Sequence, residues 1–258
     1  MRRSLLLTAA AVLLASAAGC AGGMSSAPGP DPSRFAAALN HPTRPLADRE
    51  RDAARRPAEV LAFAGVREGW RVGEYMPGAG YFTRVLALAV GPDGSVFAYQ
   101  PSEIVRLRPA YLTEIQAVAA EPGLSNVTVT SAPTREFSAP HPLDLVITVQ
   151  NYHDLYGPFA AQGTGAAFDR AAFAALKPGG VYLVVDHHAA QGSGLSGAGQ
   201  LHRIERQAAV DAITAAGFVL EAESDLLLNP GDPLTASVFD PSIRGNTSQF
   251  MLRFRKPR

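Results

Sequence analysis

Apolar positions along this chain change their spacing repeatedly, and the changes predict elements. Residues 34–40 and 46–64 carry apolar side chains at helical spacing, and 71–75 is a short buried strand. Residues 82–90 return to helical spacing. The pattern then predicts a strand over 95–99, a helix near 109–120, and strands over 126–131 and 143–150. A helix near 166–176, a strand over 181–186 and a helix near 205–216 follow. The last two extended runs, 218–228 and 249–255, have no helix-length segment between them. Strands alternating with helices predict an α/β fold with a doubly wound, mainly parallel sheet. The continuous apolar runs 143–149 and 181–185 suit central strands covered on both faces. The two closing runs predict a hairpin-like antiparallel edge, with an antiparallel final strand.

Between the first strand and its helix lies Glu74-Tyr-Met-Pro-Gly-Ala-Gly-Tyr-Phe-Thr83. Gly78 and Gly80 make a tight turn there, and without Cβ atoms the backbone can approach a ligand. Glu74, at the strand end, can accept hydrogen bonds from a ribose or a cationic group. The G-x-G-x-x-G dinucleotide fingerprint would need glycine at position 83, which is Thr83.

Polar residues gather at two other strand ends. The fourth predicted strand delivers Gln150-Asn-Tyr-His-Asp154, and the fifth delivers Asp186-His-His188. Four of the six histidines, His153, His187, His188 and His202, lie on or after these ends. His153, Asp154, Asp186 and His187 are the candidate catalytic groups. Such a set can supply a general base oriented by a carboxylate. It can equally bind a metal. His188 and His202 are less readily included, because neighbouring strand residues point to opposite faces.

Charge narrows the partners. Twenty-three basic residues balance 23 acidic ones, so nothing favours nucleic acid. The run 48–56 mixes both signs, with Asp52 four residues before Arg56, and predicts a solvated helix face, with arginines gripping a ligand carboxylate as the alternative. Residues 229–247, rich in Pro, Gly and Asp, are long enough to cover a site. Arg244 there is either a surface residue or a contact for an anionic group.

The N-terminus has the charged start and apolar run of an export signal, and it ends in Ala17-Ala-Gly-Cys20. That ending resembles a bacterial lipobox. Cys20 is the only cysteine, so no intramolecular disulfide forms, and lipid attachment is the role expected of it. The chain therefore divides into a signal over 1–19, a Gly/Ser/Pro-rich tether over 20–33 and one domain over 34–258. The expected location is the periplasmic face of a bacterial membrane, touched only through the lipid.

The acid-x-G-x-G-x-G turn of the class I S-adenosylmethionine-dependent methyltransferases is similar to this one. Glu74, Gly78 and Gly80 match its acid, second and third glycines, and Met76 stands at the first. Leu176-Lys-Pro-Gly-Gly180 and Ala216-Gly-Phe218 match later landmarks of the family. With Val185-Asp-His187, His202-Arg-Ile204 and the tail Val238-Phe-Asp-Pro-Ser-Ile-Arg-Gly245, the chain resembles an exported bacterial group of methyltransferase-like proteins. The resemblance implies a Rossmann-like sheet, S-adenosylmethionine as cofactor and a small-molecule acceptor. It makes Glu74, Gly78, Gly80, Tyr81 and Gln100 a cofactor cradle, with Asn151 and Tyr152 lining its adenine or methyl end. His153 or His187 would deprotonate the acceptor. Gln100 stands where the family usually has an acid for the ribose.

Two other readings stay open: a metal-dependent or acid–base enzyme on the same fold, using His153, Asp154, Asp186, His187 and His202, and a non-catalytic protein that binds a small ligand.

Overall fold

A computed structural model describes residues 31–258. The expected signal, Cys20 and nearly all of the tether lie outside the described residues. Among those residues, no helix is long and apolar enough to cross a membrane.

A short 3-10 turn, Pro32–Phe35, leads into four helical pieces: α1 (Ala36–Asn40), α2 (Leu46–Arg49), α3 (Asp52–Arg55) and α4 (Pro57–Ala64). The single helix expected over 46–64 is broken because Arg56 is left-handed (φ 46°) and Pro57 opens the next helix. Strand β1 (Arg71–Tyr75) follows, then α5 (Tyr81–Val90), β2 (Ser95–Pro101), α6 (Ser102–Leu107), α7 (Ala110–Ala119) and β3 (Val127–Ala132). β4 (Leu143–Val149), α8 (Thr164–Ala175), β5 (Leu176–His187), α9 (Arg206–Ala215), β6 (Val219–Ser224) and β7 (Gln249–Arg255) complete the chain.

The seven strands form one sheet in the order β3-β2-β1-β4-β5-β7-β6. β1 to β5 pair in parallel, and β7 runs antiparallel to both β5 and β6, which it separates. The antiparallel final strand predicted from the sequence is therefore present, inserted inside the edge rather than outside it. β5 starts at Leu176, earlier than expected. Leu176 pairs with Leu143, and the following Lys-Pro-Gly-Gly bulges out before Val181 pairs with Leu145.

Alternation along the central strands builds two cores. Val72, Leu145, Ile147, Leu183 and Val185 pack with Val60, Leu61, Val85, Leu86 and Ile115 on one face. Val146, Tyr182, Val184, Leu252 and Phe254 pack with Phe168, Ala172 and Ile213 on the other. Helices thus cover both sides, which is why β4 and β5 read as unbroken apolar runs. The strand order reverses between β1 and β4. In open parallel sheets, ligands bind outside the strand carboxyl ends at that point.

Candidate active site

A cavity of about 860 Å³ opens outside the carboxyl ends of β1, β4 and β5, at the reversal. That volume is ample for a nucleoside-sized molecule and a small second one. Six parts of the chain build its wall: the β1 turn, α3, the segment after β4, the segment after β5, the α6–α7 pair, and the loop before β7.

The turn after β1 is shaped by left-handed residues. Met76 has a positive φ (56°), uncommon for a residue with a side chain, and Gly78 (φ 57°) and Gly80 (φ 82°) follow. Met76 donates its N–H to Tyr99 O at 2.9 Å and accepts from Asn151 Nδ2 at 3.0 Å, which fixes the strained backbone. Gly78 faces the cavity, and a Cβ there would meet Tyr111 at 3.6 Å, an ordinary contact. Gly80 does something else: a Cβ would lie 2.8 Å from Val118 Cγ2 and 3.1 Å from Ile115 Cδ1. Its glycine serves the packing of α5 on α7, and it is not on the cavity wall.

Glu74 is 5% exposed and lines the cavity. Thr83 Oγ1 donates to its carboxyl at 2.5 Å. Burial pushes the Glu74 pKa up to about 7, against the Thr83 hydrogen bond and the charge of Arg55. Arg55 reaches in from α3 and donates to Gln150 Oε1 at 2.5 Å, and Gln150 Nε2 donates to Gln249 Oε1 at 3.0 Å. The Arg55 guanidinium lies 4.5 Å from the Tyr81 ring centroid, and Tyr81 also lines the cavity. Most of the run 48–56 is exposed, as a solvated face would be, but Asp48, Asp52 and Arg55 turn inward. Asp52 pairs with Arg44 in a two-pronged contact at 2.6 and 2.7 Å and accepts from Tyr81 Oη at 2.5 Å, while Arg56 turns to Glu59.

The polar strand ends do converge. Asp186 is fully buried behind His153, with Oδ1 at 2.8 Å from His153 Nδ1 and Oδ2 accepting the His153 backbone N–H at 2.6 Å. Burial pulls the His153 pKa down, but the charge and hydrogen bond of Asp186, with Asp154 beyond, outweigh it and hold it above the usual value. Burial likewise opposes ionisation of Asp186, and its contacts with His153 win, holding it low. His153, Asp154, His187 and His202 all line the cavity. His187 Nδ1 meets Thr247 Oγ1 at 2.7 Å, and burial pushes its pKa down to about 4 despite Asp186. His188 leaves the site and packs edge-on against Phe250.

Two proposed cradle residues lie behind the wall. Gln100 is fully buried, and its Oε1 accepts the Gly78 N–H at 3.2 Å, so it braces the turn from outside the cavity. Tyr152 is fully buried on the α8 side, where its hydroxyl donates to Asp169 at 2.8 Å. The expectation that Tyr152 lines a ligand is corrected by that placement. Gln150 is left-handed (φ 62°) and breaks the strand's alternation just before Tyr152.

The loop after β6 forms part of the cavity wall. Val238, Phe239, Arg244, Gly245 and Thr247 line the cavity. A buried ion pair ties this loop down: Arg203 makes two hydrogen bonds to Asp232, at 2.8 and 2.9 Å, and donates to Ala236 O and His188 O.

The fold has counterparts among solved structures. The fold is that of the class I methyltransferases. A methyltransferase dependent on S-adenosylmethionine from Aquifex aeolicus superposes with a TM-score of 0.58 at 18% identity, covering 88% of this chain and 98% of that one. A putative methyltransferase of Haloferax volcanii, in complex with its Trm112 activator, gives 0.58 at 15% identity over 87% and 98%. The [4+2]-cyclase SpnF gives 0.59 at 16% over 80% and 82%. No protein-family model and no curated protein matches the sequence.

Sequence reasoning missed Arg55, Gln150, Gln249 and Thr247. Arg55 sat in a run with the charge pattern of a surface helix. Gln249 opens β7 and Thr247 ends the loop before it, and no local pattern reveals that this strand inserts beside β5.

Proposed function

We propose that this chain binds S-adenosylmethionine at the β1 turn and transfers its methyl group to a small acceptor at the polar wall formed by His153, Asp154 and His202. One observation carries the reading: a buried carboxyl, Glu74, faces the cavity immediately before a left-handed turn, at the point where the strand order reverses. The residues present fit the cofactor. Among the described residues Glu74 has a single hydrogen-bond donor, Thr83, and its remaining lone pairs suit an ammonium group. Gly78 leaves the backbone accessible, and Ile104, Leu107 and Tyr111 offer an apolar side wall to an adenine. The neutral Gln100 is engaged with Gly78, so ribose recognition would fall to other groups of this wall.

When bound, the cofactor supplies an electrophilic methyl group on a sulfonium. This chain's own residues hold and orient. Arg55 and Gln150 fix the floor between the two halves of the cavity. Asp186 locks the His153 ring with Nε2 toward Asp154, 3.4 Å away. The loop carrying Phe239 and Arg244 covers the acceptor side and limits water. Alignment of nucleophile and methyl group is the main source of rate in such a site. The leader-like N-terminus and Cys20 support an exported, lipid-attached protein, so the acceptor would be a small envelope or extracellular molecule; a labelled fatty acid incorporated by the wild type and not by Cys20→Ala tests that.

Calorimetric titration of the chain with S-adenosylmethionine and S-adenosylhomocysteine tests the cofactor. Low-micromolar binding, about −8 kcal/mol, weakened at least tenfold in Glu74→Gln, is the expected result. No heat at millimolar ligand overturns the proposal.

A further inference from the structure

The atoms His153 Nε2, Asp154 Oδ1 and His202 Nδ1 stand in an arrangement that hydrogen bonding does not explain. His153 Nε2 is 3.4 Å from Asp154 Oδ1, and His202 Nδ1 is 3.7 Å from the same oxygen. All three lie within 4.8 Å of one another. Good hydrogen bonds from nitrogen to oxygen are about 2.7–3.2 Å long, so both separations are too wide. They are the right size for a shared ion, because ligands bound at about 2.0–2.1 Å around a tetrahedral centre sit about 3.3 Å apart. Among the described residues, none of the three atoms makes a hydrogen bond.

Two further features point the same way. Asp186 holds His153 by its other ring nitrogen, the carboxylate–imidazole support that orients a metal-ligating histidine. His202 is held in a left-handed conformation (φ 55°), uncommon for a residue with a side chain. Its ring stands perpendicular to that of His153, and Phe239 of the covering loop packs against its other side, with centroids 4.7 Å apart. A strained backbone thus brings a third ligand from a separate loop to a pair already set by β4 and β5.

We propose that His153, Asp154 and His202 bind one divalent transition-metal ion at the acceptor end of the cavity. Two imidazoles and one carboxylate suit zinc or iron(II), and three protein ligands leave a position open toward the cavity. Asp186 is a positioning residue and His187 stays outside the set, its Nδ1 engaged with Thr247. An oxygen of a small hydroxylated acceptor would take the open position, where the ion favours loss of its proton to water in the open cavity. That last step rests on the methyl-transfer reading; the metal site itself does not.

The test uses the full chain, purified without a histidine tag and titrated with zinc alone, then with cobalt(II) as a spectroscopic probe. One equivalent retained through dialysis, with visible cobalt bands, is expected. Asp154→Ala and His202→Ala, both at partly exposed positions, should each bind at least a hundredfold more weakly, and Asp186→Asn about ten- to a hundredfold. The exposed His141→Ala should bind as the wild type does. Circular dichroism confirms that each variant is folded. Less than a tenth of an equivalent in the wild type, or wild-type binding in both Asp154→Ala and His202→Ala, overturns the site. Titration of the same samples with S-adenosylmethionine separates the two proposals: zinc bound without cofactor binding sinks methyl transfer alone, and the reverse sinks the metal site alone.

Discussion

Asp186 holds His153 at two points, ring and backbone, and its Oδ1 also accepts the His187 N–H at 2.7 Å. One buried carboxylate therefore satisfies donors from the ends of two neighbouring strands. Removing it strands three donors without water. Asp186→Ala should lose about 3–5 kcal/mol of stability, read as a lower urea midpoint. Asp186→Asn keeps an acceptor oxygen and should lose less. Equal losses in the two variants would show that the charge alone matters.

The two glycines of the β1 turn should behave differently. Gly80→Ala combines a left-handed backbone with a methyl group 2.8 Å from Val118, so it should cost about 2–4 kcal/mol. Gly78→Ala carries the backbone penalty with no clash and should cost about 1–2 kcal/mol. Its larger effect should be on cofactor affinity, because its new methyl group points into the ligand's space. Thermal melts with and without S-adenosylmethionine check both: Gly80→Ala lowers the melting temperature in each case, and Gly78→Ala chiefly removes the ligand-induced rise. A larger loss for Gly78→Ala without ligand would reverse the assignment.

The sequence carried the sheet, because doubly covered strands must be apolar on both faces and helices between them must be amphipathic. It carried the turn, because left-handed backbone needs glycine at most positions. Which polar residues face the cavity was harder. Gln100 and Tyr152 sit at the right places along the chain and the wrong sides of the wall. Gln100 turns to the Gly78 N–H, and Tyr152 follows a left-handed kink at Gln150, a residue type that gives no signal for positive φ. His202 was undervalued for a related reason: it belongs to a loop held by contacts far along the chain, among them the parallel bridge between His188 and Ile204 and the Val238 N–H to Leu201 O bond. The inward turn of Arg55 was lost because a half-buried arginine and a surface one look alike in sequence when the covering partner, Tyr81, is distant along the chain.

Asp169 gives a stability signature away from the cavity. It is fully buried on α8, facing Tyr152 and Tyr156 from the segment after β4 and Tyr182 from β5, with Arg170 as the nearby cation on its own helix. Burial pushes its pKa up to about 7, against the two tyrosine hydrogen bonds. The folded state then keeps this proton when the unfolded chain has released it. Between about pH 4 and pH 7 the native state binds more protons, so stability falls as pH rises, by about 1.4 kcal/mol per unit at the steepest. Asp169→Asn has no proton to lose. The difference in unfolding free energy, variant minus wild type, should climb through that window and level off above pH 7. A flat difference would mean that Asp169 is ionised in the fold.

Glu74 makes the matching prediction for binding. Its carboxyl is buried and near neutral pKa while the cavity holds no cation beside it other than Arg55. An ammonium group brought against it favours the ionised form, so binding should release a proton wherever Glu74 starts protonated. Affinity for S-adenosylmethionine should therefore rise as pH increases from 6 to 8, and calorimetry in buffers of different ionisation enthalpy should register proton release at pH 6 that fades by pH 8. Glu74→Gln should bind more weakly and lose both effects. Proton release that persists in Glu74→Gln would assign the titration to another group and leave Glu74 a structural partner of Thr83. Affinity independent of pH in the wild type would mean that the ammonium group lies elsewhere on the wall, with Asp154 the remaining carboxylate able to receive it.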